Sequence, residues 1–164
     1  MKVINIHKRI INQPKENVSK LLETLSTKDD KIWPNKKWPA IKFKEGLKVG
    51  SFGGHGSIRY KIVSYDIGNS IYFEFIKSSG FIGFHSFEIK ELEINVIEVK
   101  HTIEMNTTGK GIFNWAIVIR WLHDALIEDA LDNIENCFSD KNKTTEWSFW
   151  VKTLRFFLKP KRNK

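Results

Sequence analysis

The longest amphipathic stretch of the chain runs from Lys110 to Phe138 and predicts a long C-terminal helix. Apolar side chains recur in it at three- and four-residue steps, so they form one stripe along one side of the helix. The stripe consists of Ile112, Ala116, Ile119, His123, Leu126, Ala130, Ile134 and Cys137. Acidic side chains fall mostly on the opposite side, where we expect a solvated face. These are Asp124, Glu128, Asp132 and Glu135.

The chain before this helix carries the period-two patterns of β-strands. Residues 2–11 predict a first strand, with Ile4, Ile6 and Ile10 largely facing the interior. Further strands separated by short turns predict an antiparallel meander, whose apolar faces the long helix covers. They span residues 57–65, 71–76, 81–90 and 95–105, with weaker strand patterns at 40–44 and 47–52.

The segment between the first strand and the meander predicts two short helices and a loop. Asn12-Gln13-Pro14 is a typical helix start, and the apolar spacing after it predicts a helix over about residues 14–25. Residues 27–31 add a second short helical turn. Two Trp-Pro pairs within residues 32–39 predict an extended, ordered loop, because proline keeps the residue before it out of helical geometry.

The composition is that of one globular domain with a sizeable core: 41% of the 164 residues are apolar and 13% are aromatic. Cys137 is the only cysteine, which excludes an intramolecular disulfide, and its place on the apolar stripe predicts a core residue. No stretch approaches the roughly 20 apolar residues of a membrane span, and the N-terminus has no apolar leader segment. We therefore expect a cytoplasmic protein.

Residues 141–164 differ from the rest in charge. They hold eight Lys and Arg residues and one acidic residue, so residues 1–140 carry a net charge of only +1. We therefore expect a domain at residues 1–140 and a basic amphipathic tail at 141–164, and we do not expect nucleic-acid binding. The apolar face of the tail suits docking on the domain, self-association, or contact with an anionic membrane surface. Its predicted contact residues are Trp147, Trp150, Leu154 and Phe157.

Four segments of the sequence resemble a known superfamily. They are Ile10–Val18 at the strand-to-helix junction, Leu47–Gly50, Tyr60–Tyr65, and His123–Asp132 on the long helix. With the order of the elements, they make residues 2–138 similar to the START-like (SRPBCC) superfamily, which includes polyketide cyclase/dehydrase and lipid-transport proteins. The resemblance implies an α+β helix-grip fold, in which a curved antiparallel sheet of six to seven strands wraps around the long helix. It also implies an internal cavity for an apolar or amphipathic ligand, but no shared catalytic residues.

Strand parity predicts which side chains face this cavity. A hairpin that pairs Lys90 with Val96 places His85 directly opposite His101 on the inward, largely apolar face. His123 lies on the stripe of the long helix that faces the same sheet. The predicted ligand-binding residues are Tyr60, Phe73, His85, Phe87, Val99, His101, Met105, Ile119 and His123.

These residues allow three hypotheses for function. The leading one is a module that binds a small hydrophobic or amphipathic ligand, with the histidines and Tyr60 as polar contacts. The second is a cyclase- or dehydratase-like enzyme that uses the histidines for proton transfer, and the third is an adaptor that binds a membrane surface or a partner through the tail. The alternative to all three is that each histidine is a structural core residue satisfied by one hydrogen bond. No ligand-spaced metal motif and no phosphate loop occurs, so we expect no metal and no cofactor.

Overall fold

The computed structural model of the chain describes residues 1–76, 80–140 and 142–158. The strands are β1 (Lys2–Ile11), β2 (Lys42–Phe43), β3 (Phe52–His55), β4 (Ile58–Asp66), β5 (Ser70–Phe75), β6 (Phe81–Glu93) and β7 (Val96–Thr107). They form one antiparallel sheet in the order β1-β7-β6-β5-β4-β3-β2. The helices are α1 (Lys15–Thr24), α2 (Lys110–Asn114), α3 (Arg120–Asn136) and α4 (Phe149–Leu158), and a π-helical turn, Trp115–Ile119, joins α2 to α3.

The predicted α+β architecture is confirmed, because α3 packs against the inner face of the seven-stranded sheet. Leu126, Ala130 and Ile134 are buried on the predicted stripe, and α1 adds Val18 and Leu22 to the same core. Full burial of each aliphatic side chain is worth about 1.5–3 kcal/mol, so this contact dominates the packing of the helix. None of the helices in the described residues is long and apolar enough to cross a membrane.

The π-helical turn changes the apolar stripe at its N-terminal end. An extra residue in one turn rotates the preceding side chains around the helix axis. Trp115 is therefore buried, whereas Ala116 is exposed although the sequence pattern placed it on the stripe. At the other end Cys137 lies just beyond α3 and is exposed, so its prediction as a core residue was wrong.

Strand β1 faces the other way from the prediction. Ile4, Ile6 and Ile10 are 58%, 51% and 48% exposed, so the prediction that they face inward was wrong. The strand lies at the edge of the sheet and directs His7 and Arg9 toward α3 instead. These polar side chains are tolerated inside because each finds a charged partner on the helix.

The acidic residues of α3 are those partners. Arg9 donates from Nη1 to Oδ1 of Asp132 at 3.0 Å and from Nη2 to Oε2 of Glu128 at 2.9 Å, and it also contacts Glu135. His7 contacts Glu128 and Asp124. The prediction of a solvated acidic face was therefore wrong for these residues, which join the edge strand to the helix.

The pairing of β6 with β7 is shifted by two residues from the predicted register. Phe87 pairs with His101, and His85 pairs with Ile103, so the two histidines are diagonal neighbours and not directly opposite. A bulge near Glu91 and Glu93 lengthens β6 and moves the turn toward Asn95. Because the shift is even, every side chain keeps its predicted face of the sheet.

The segment after β1 contains one helix and not two. Helix α1 lies where the first was predicted, whereas residues 25–31 form turns, so the second helical turn was wrong. The Trp-Pro loop buries both indoles, with Trp33 4% and Trp38 7% exposed. Trp33 donates from Nε1 to the carbonyl of Pro39 at 2.9 Å, which orders the loop.

The tail packs against the domain through a buried carboxylate on α3. Oδ2 of Asp129 accepts hydrogen bonds from the indoles of Trp38 at 2.7 Å and Trp147 at 3.0 Å, and Oδ1 contacts Nζ of Lys37 at 2.6 Å. Val151 of α4 is 3% exposed and belongs to the main core. We call this arrangement around Asp129 the tail latch.

The rest of α4 faces outward. Of the predicted contact residues, Trp147 packs against the core and Leu154 is half-buried, whereas Trp150 and Phe157 are 40% and 76% exposed. Trp150 donates to the carbonyl of Ile117 at 3.0 Å. The apolar residues of α4 are therefore divided between a docked side and an exposed side, and the basic end from residue 159 lies outside the described residues.

Candidate ligand-binding cavity

A cavity of about 350 Å³ lies between the sheet, α3, the Trp-Pro loop and α4. Its volume is at the lower end of the range of about 300–1,000 Å³ typical of small-molecule sites. The walls are mainly apolar and aromatic, with histidines among them. The lining residues from the sheet include His55, Ile58, Phe75, Phe81, His85, His101, Ile103 and Met105. Those from the helices and loops include Trp33, Trp38, Trp115, Ile119, Leu122, His123, Leu126, Ile127, Arg155 and Leu158.

Aromatic ring contacts connect the histidines along one side of the cavity. The ring of His123 lies 5.0 Å from that of His101, and His101 lies 5.6 Å from His85. Tyr60 lies 4.6 Å from His85 and 5.9 Å from His55. The five rings form a continuous row from α3 to β3, which we call the histidine row.

The histidines in the row are neutral at physiological pH. Burial lowers the pKa of His85 and His101 well below the ordinary value of 6.5, and the neighbouring histidines lower it further. The pKa of His55 falls to about 3 for the same reasons. Burial also lowers the pKa of His123, although the carboxylate of Asp124 partly offsets this. Neutral imidazoles each offer one donor and one acceptor nitrogen to a ligand.

Several polar atoms of the row have no partner among the described residues. They include the hydroxyl of Tyr60, Nε2 of His85, Nδ1 of His101 and Nδ1 of His123. A buried polar group without a hydrogen bond costs about 1–3 kcal/mol, so native proteins rarely leave four together. Three of these atoms belong to histidines that line the cavity, whereas the hydroxyl of Tyr60 lies in the core behind the wall.

The structure divides the nine predicted ligand-binding residues into two groups. Those that line the cavity are His85, His101, Met105, Ile119 and His123. The others, Tyr60, Phe73, Phe87 and Val99, are at most 2% exposed and pack in the core behind the wall. Phe73 stacks on His85 at 4.5 Å, and Phe87 lies 4.6 Å from His101, so these two phenylalanines fix the positions of the imidazoles without filling the cavity.

Sequence reasoning missed one histidine and the residues that surround the mouth. His55 lies on β3 between Gly54 and Gly56, and this glycine-rich segment has no periodic pattern that assigns a direction to the side chain. Its ring contacts Trp33 at 4.9 Å. Trp38 comes from the Trp-Pro loop, where the two Trp-Pro pairs were the only feature of the sequence that predicted an ordered loop. These contacts depend on tertiary packing and have no periodic signature.

Helix α4 contributes to the mouth of the cavity. Arg155 and Leu158 line it, and the guanidinium of Arg155 lies over the ring of Trp38 at 4.4 Å. Arg155 also donates to the carbonyl of Lys37. Because the tail latch holds the start of this helix, it also holds these two mouth residues in place.

A polar cluster adjoins the row where β1 meets α3. Nδ1 of His7 lies 2.7 Å from Oε1 of Glu128, and Nε2 lies 3.1 Å from Oδ1 of Asp124. Asn5 donates to the same Asp124 oxygen at 2.9 Å. Burial lowers the pKa of His7, but the hydrogen bonds and charges of both carboxylates outweigh it and leave the pKa above its ordinary value. The ring of His7 lies 5.9 Å from that of His123.

An antiparallel sheet wrapped on a C-terminal helix, with a cavity between them, defines the helix-grip class of proteins. Among solved structures, the chain is similar to norcoclaurine synthase from Thalictrum flavum in complex with dopamine and hydroxybenzaldehyde. The TM-score is 0.62 at 10% identity, over 86% of this chain and 90% of that chain. CalU16 from Micromonospora echinospora is also similar, with a TM-score of 0.57 at 11% identity, over 94% of this chain and 92% of that chain.

A third similar structure is a protein from Thermobifida fusca, with a TM-score of 0.63 at 11% identity, over 88% of this chain and 99% of that chain. No protein-family model matches the sequence, and no curated protein matches it. Identities this low show the fold and not the activity. The fold is the α+β helix-grip fold that the sequence predicted.

Proposed function

We propose that the protein binds a small, mainly apolar ligand in the cavity and holds a polar group of that ligand with the histidine row. The observation that carries this proposal is that three neutral histidines, His85, His101 and His123, line a mainly apolar cavity. Apolar walls supply affinity by burial, and a few convergent polar groups fix the orientation. The norcoclaurine synthase structure, which holds dopamine and hydroxybenzaldehyde, supports a small ligand with aromatic and hydroxyl groups.

Native mass spectrometry of the purified protein, followed by denaturing extraction, tests the proposal. A bound apolar molecule is the expected result, and it identifies the chemical class of the ligand. Titration with a fluorescent fatty-acid analogue covers the case in which the ligand is lost during purification. A protein that is isolated empty and does not bind the analogue would contradict the proposal.

Two isoleucines in the π-helical turn provide a matched pair of variants. Ile119 lines the cavity, whereas Ile117 is 52% exposed. Ile119→Trp places a larger, rigid indole at the cavity wall and is expected to weaken binding of the analogue, because the indole narrows the 350 Å³ cavity. Ile117→Trp makes the same change outside and is expected to bind normally. Equal loss in both variants would indicate damage to the helix and not a filled cavity.

A second candidate function is acid–base catalysis of a cyclisation or dehydration. It is favoured by neutral imidazoles within ring contact of one another, with His101 between His85 and His123. A neutral imidazole of the row can then act as a general base toward a bound ligand. His101→Phe distinguishes the two functions once a ligand is known. A binding protein is expected to lose only about 2- to 10-fold in affinity, whereas an enzyme is expected to lose about 10²–10⁴ in turnover.

A third candidate function is contact with an anionic membrane surface through α4. Phe149, Phe156 and Phe157 are 84%, 76% and 76% exposed, and residues 141–164 carry eight basic residues and one acidic residue. Exposed aromatic and basic residues together favour an anionic interface. Cosedimentation with vesicles is expected to require anionic lipid and to be lost in Phe156→Ser/Phe157→Ser. Equal binding to neutral vesicles, or none to either, would contradict this function.

A further inference from the structure

The contact of β1 with α3 brings together one more set of chemical groups. One donor atom from each of His7, His123 and Asp124 lies within 4.8 Å of the donor atoms of the other two. The distances to Oδ1 of Asp124 are 3.1 Å from Nε2 of His7 and 3.6 Å from Nδ1 of His123. Ligand atoms about 2.0–2.1 Å from a tetrahedral ion lie roughly 3.3–3.4 Å apart. The two distances fall on either side of this value.

The contacts of His7 place one carboxylate behind its ring and one in front of it. Its Nδ1 contacts Oε1 of Glu128 at 2.7 Å, so a neutral ring that donates there points the lone pair of Nε2 at the carboxylate of Asp124. The lone pair of Nε2 and the carboxylate of Asp124 repel each other unless a positive charge lies between them. That charge is either a proton or a metal cation. A carboxylate behind an imidazole is also the usual way in which metal-bound histidines are oriented.

His123 supplies an independent sign that a group is missing. Its side chain is 11% exposed, and Nδ1 has no hydrogen-bond partner among the described residues. The distance of 3.6 Å to Asp124 is too long for a hydrogen bond. An ion between the two residues would satisfy this nitrogen. Arg120 lies 3.8 Å from Oδ2 of Asp124. Asn5 donates to Oδ1 at 2.9 Å, and a carboxylate oxygen has a second lone pair that an ion can use.

We propose that His7, His123 and Asp124 bind a divalent first-row transition metal, with Glu128 orienting His7. Two imidazoles and one carboxylate suit Zn²⁺, Fe²⁺ or Co²⁺, and three protein ligands leave coordination positions open. Since His123 also lines the cavity, the site lies at one end of the histidine row. No pattern in the sequence predicts this site, because its ligands come from β1 and α3, which are far apart in the chain.

Titration of the untagged, chelator-treated protein with Co²⁺, followed by its visible absorption, tests the site. We expect a saturable band at one Co²⁺ per chain, which added Zn²⁺ removes. Glu128→Gln keeps the ligands but not the charge behind His7, and is expected to weaken binding by about 10- to 100-fold. His55→Gln, at the opposite end of the histidine row, is the matched control and is expected to leave binding unchanged.

Histidine ring resonances in the NMR spectrum locate the ion without any variant. Paramagnetic Co²⁺ is expected to shift those of His7 and His123 most and that of His55 least. No saturable Co²⁺ band would overturn the proposal and would indicate that a proton alone links His7 to Asp124. A band that responds equally to Glu128→Gln and His55→Gln would also overturn it. The titration needs no cavity ligand, so its outcome is separate from that of the proposed function.

Discussion

Replacement of Asp129 tests the energetics of the tail latch. Its carboxylate is 2% exposed and accepts hydrogen bonds from Trp38 and Trp147 on one oxygen and contacts Lys37 on the other. Asp129→Asn can turn its oxygen toward both indoles and its amide toward Lys37, so only the contact with the ammonium is lost. Asp129→Ala removes every acceptor and leaves the donors without a partner.

The structure sets the expected magnitudes. The side chain of Lys37 is 42% exposed, so the loss of its ion pair in Asp129→Asn costs only about 1 kcal/mol after solvent screening. In Asp129→Ala, two indole hydrogen bonds to a buried charge are also lost, at about 1.5–3 kcal/mol each before relaxation. The tail can move to expose Trp147 to water, which reduces the cost. We therefore expect about 3–4 kcal/mol of destabilisation for Asp129→Ala.

Urea denaturation measures both variants, with tryptophan fluorescence and far-UV circular dichroism followed together to check for two-state behaviour. Asp29→Asn, a change at an exposed carboxylate, is the control and is expected to leave stability unchanged. Limited proteolysis is expected to cleave near Thr145 in Asp129→Ala before the domain is digested. If Asp129→Ala is as stable as Asp129→Asn, the indoles do not hold the tail through this carboxylate and the reasoning is wrong.

Three further perturbations test other parts of the fold. Gly83→Ala is expected to prevent normal folding and so to abolish cooperative unfolding in urea. The φ angle of Gly83 is +146°, and an added Cβ would lie 2.3 Å from the carbonyl oxygen of Glu104. A normal urea transition would contradict this. Arg9→Met leaves the carboxylate of Asp132 without its ion pair and is expected to lower the free energy of unfolding by about 2–3 kcal/mol in urea. Burial lowers the pKa of His55 to about 3, so the unfolded chain takes up a proton below about pH 6.5 while the folded protein does not. The free energy of unfolding therefore falls with pH below about pH 6.5, and His55 contributes about 1.4 kcal/mol per pH unit to this slope. His85, His101 and His123 add to the same slope, so His55→Phe is expected to reduce it by that amount, and an unchanged slope would contradict the reasoning.

Strands and helices with a periodic apolar pattern could be predicted from the sequence, together with the faces of their side chains. Contacts between segments far apart in the chain could not. The face of β7 that carries His101 was predicted correctly, because alternation depends only on parity and survives a register shift of two residues. The same rule failed on β1. There the more apolar side faces solvent, since Arg9 and His7 have acidic partners on α3 that strand alternation does not reveal.

The candidate site shows the same division. His85, His101 and His123 lie on faces that the strand and helix patterns identified, and all three line the cavity. His55 and Trp38 come from a glycine-rich strand and a proline-rich loop, where no period assigns a direction to the side chain. The pairing of His7 with Asp124 requires the edge strand to meet the helix, which is a property of the whole fold.

Because of the tail latch, the affinity of the cavity for a molecule and the rate at which the molecule enters and leaves depend on different residues. Affinity is a property of the walls, whereas the mouth includes Arg155 and Leu158 on a helix that is fastened outside the cavity at Asp129. Undocking of that helix would open this side of the cavity, whereas the histidine row lies on the sheet and α3 and would stay in place. For the proposed ligand, a change at Asp129 is therefore expected to alter the residence time more than the equilibrium occupancy. Selection could adjust the two properties independently by acting on different residues.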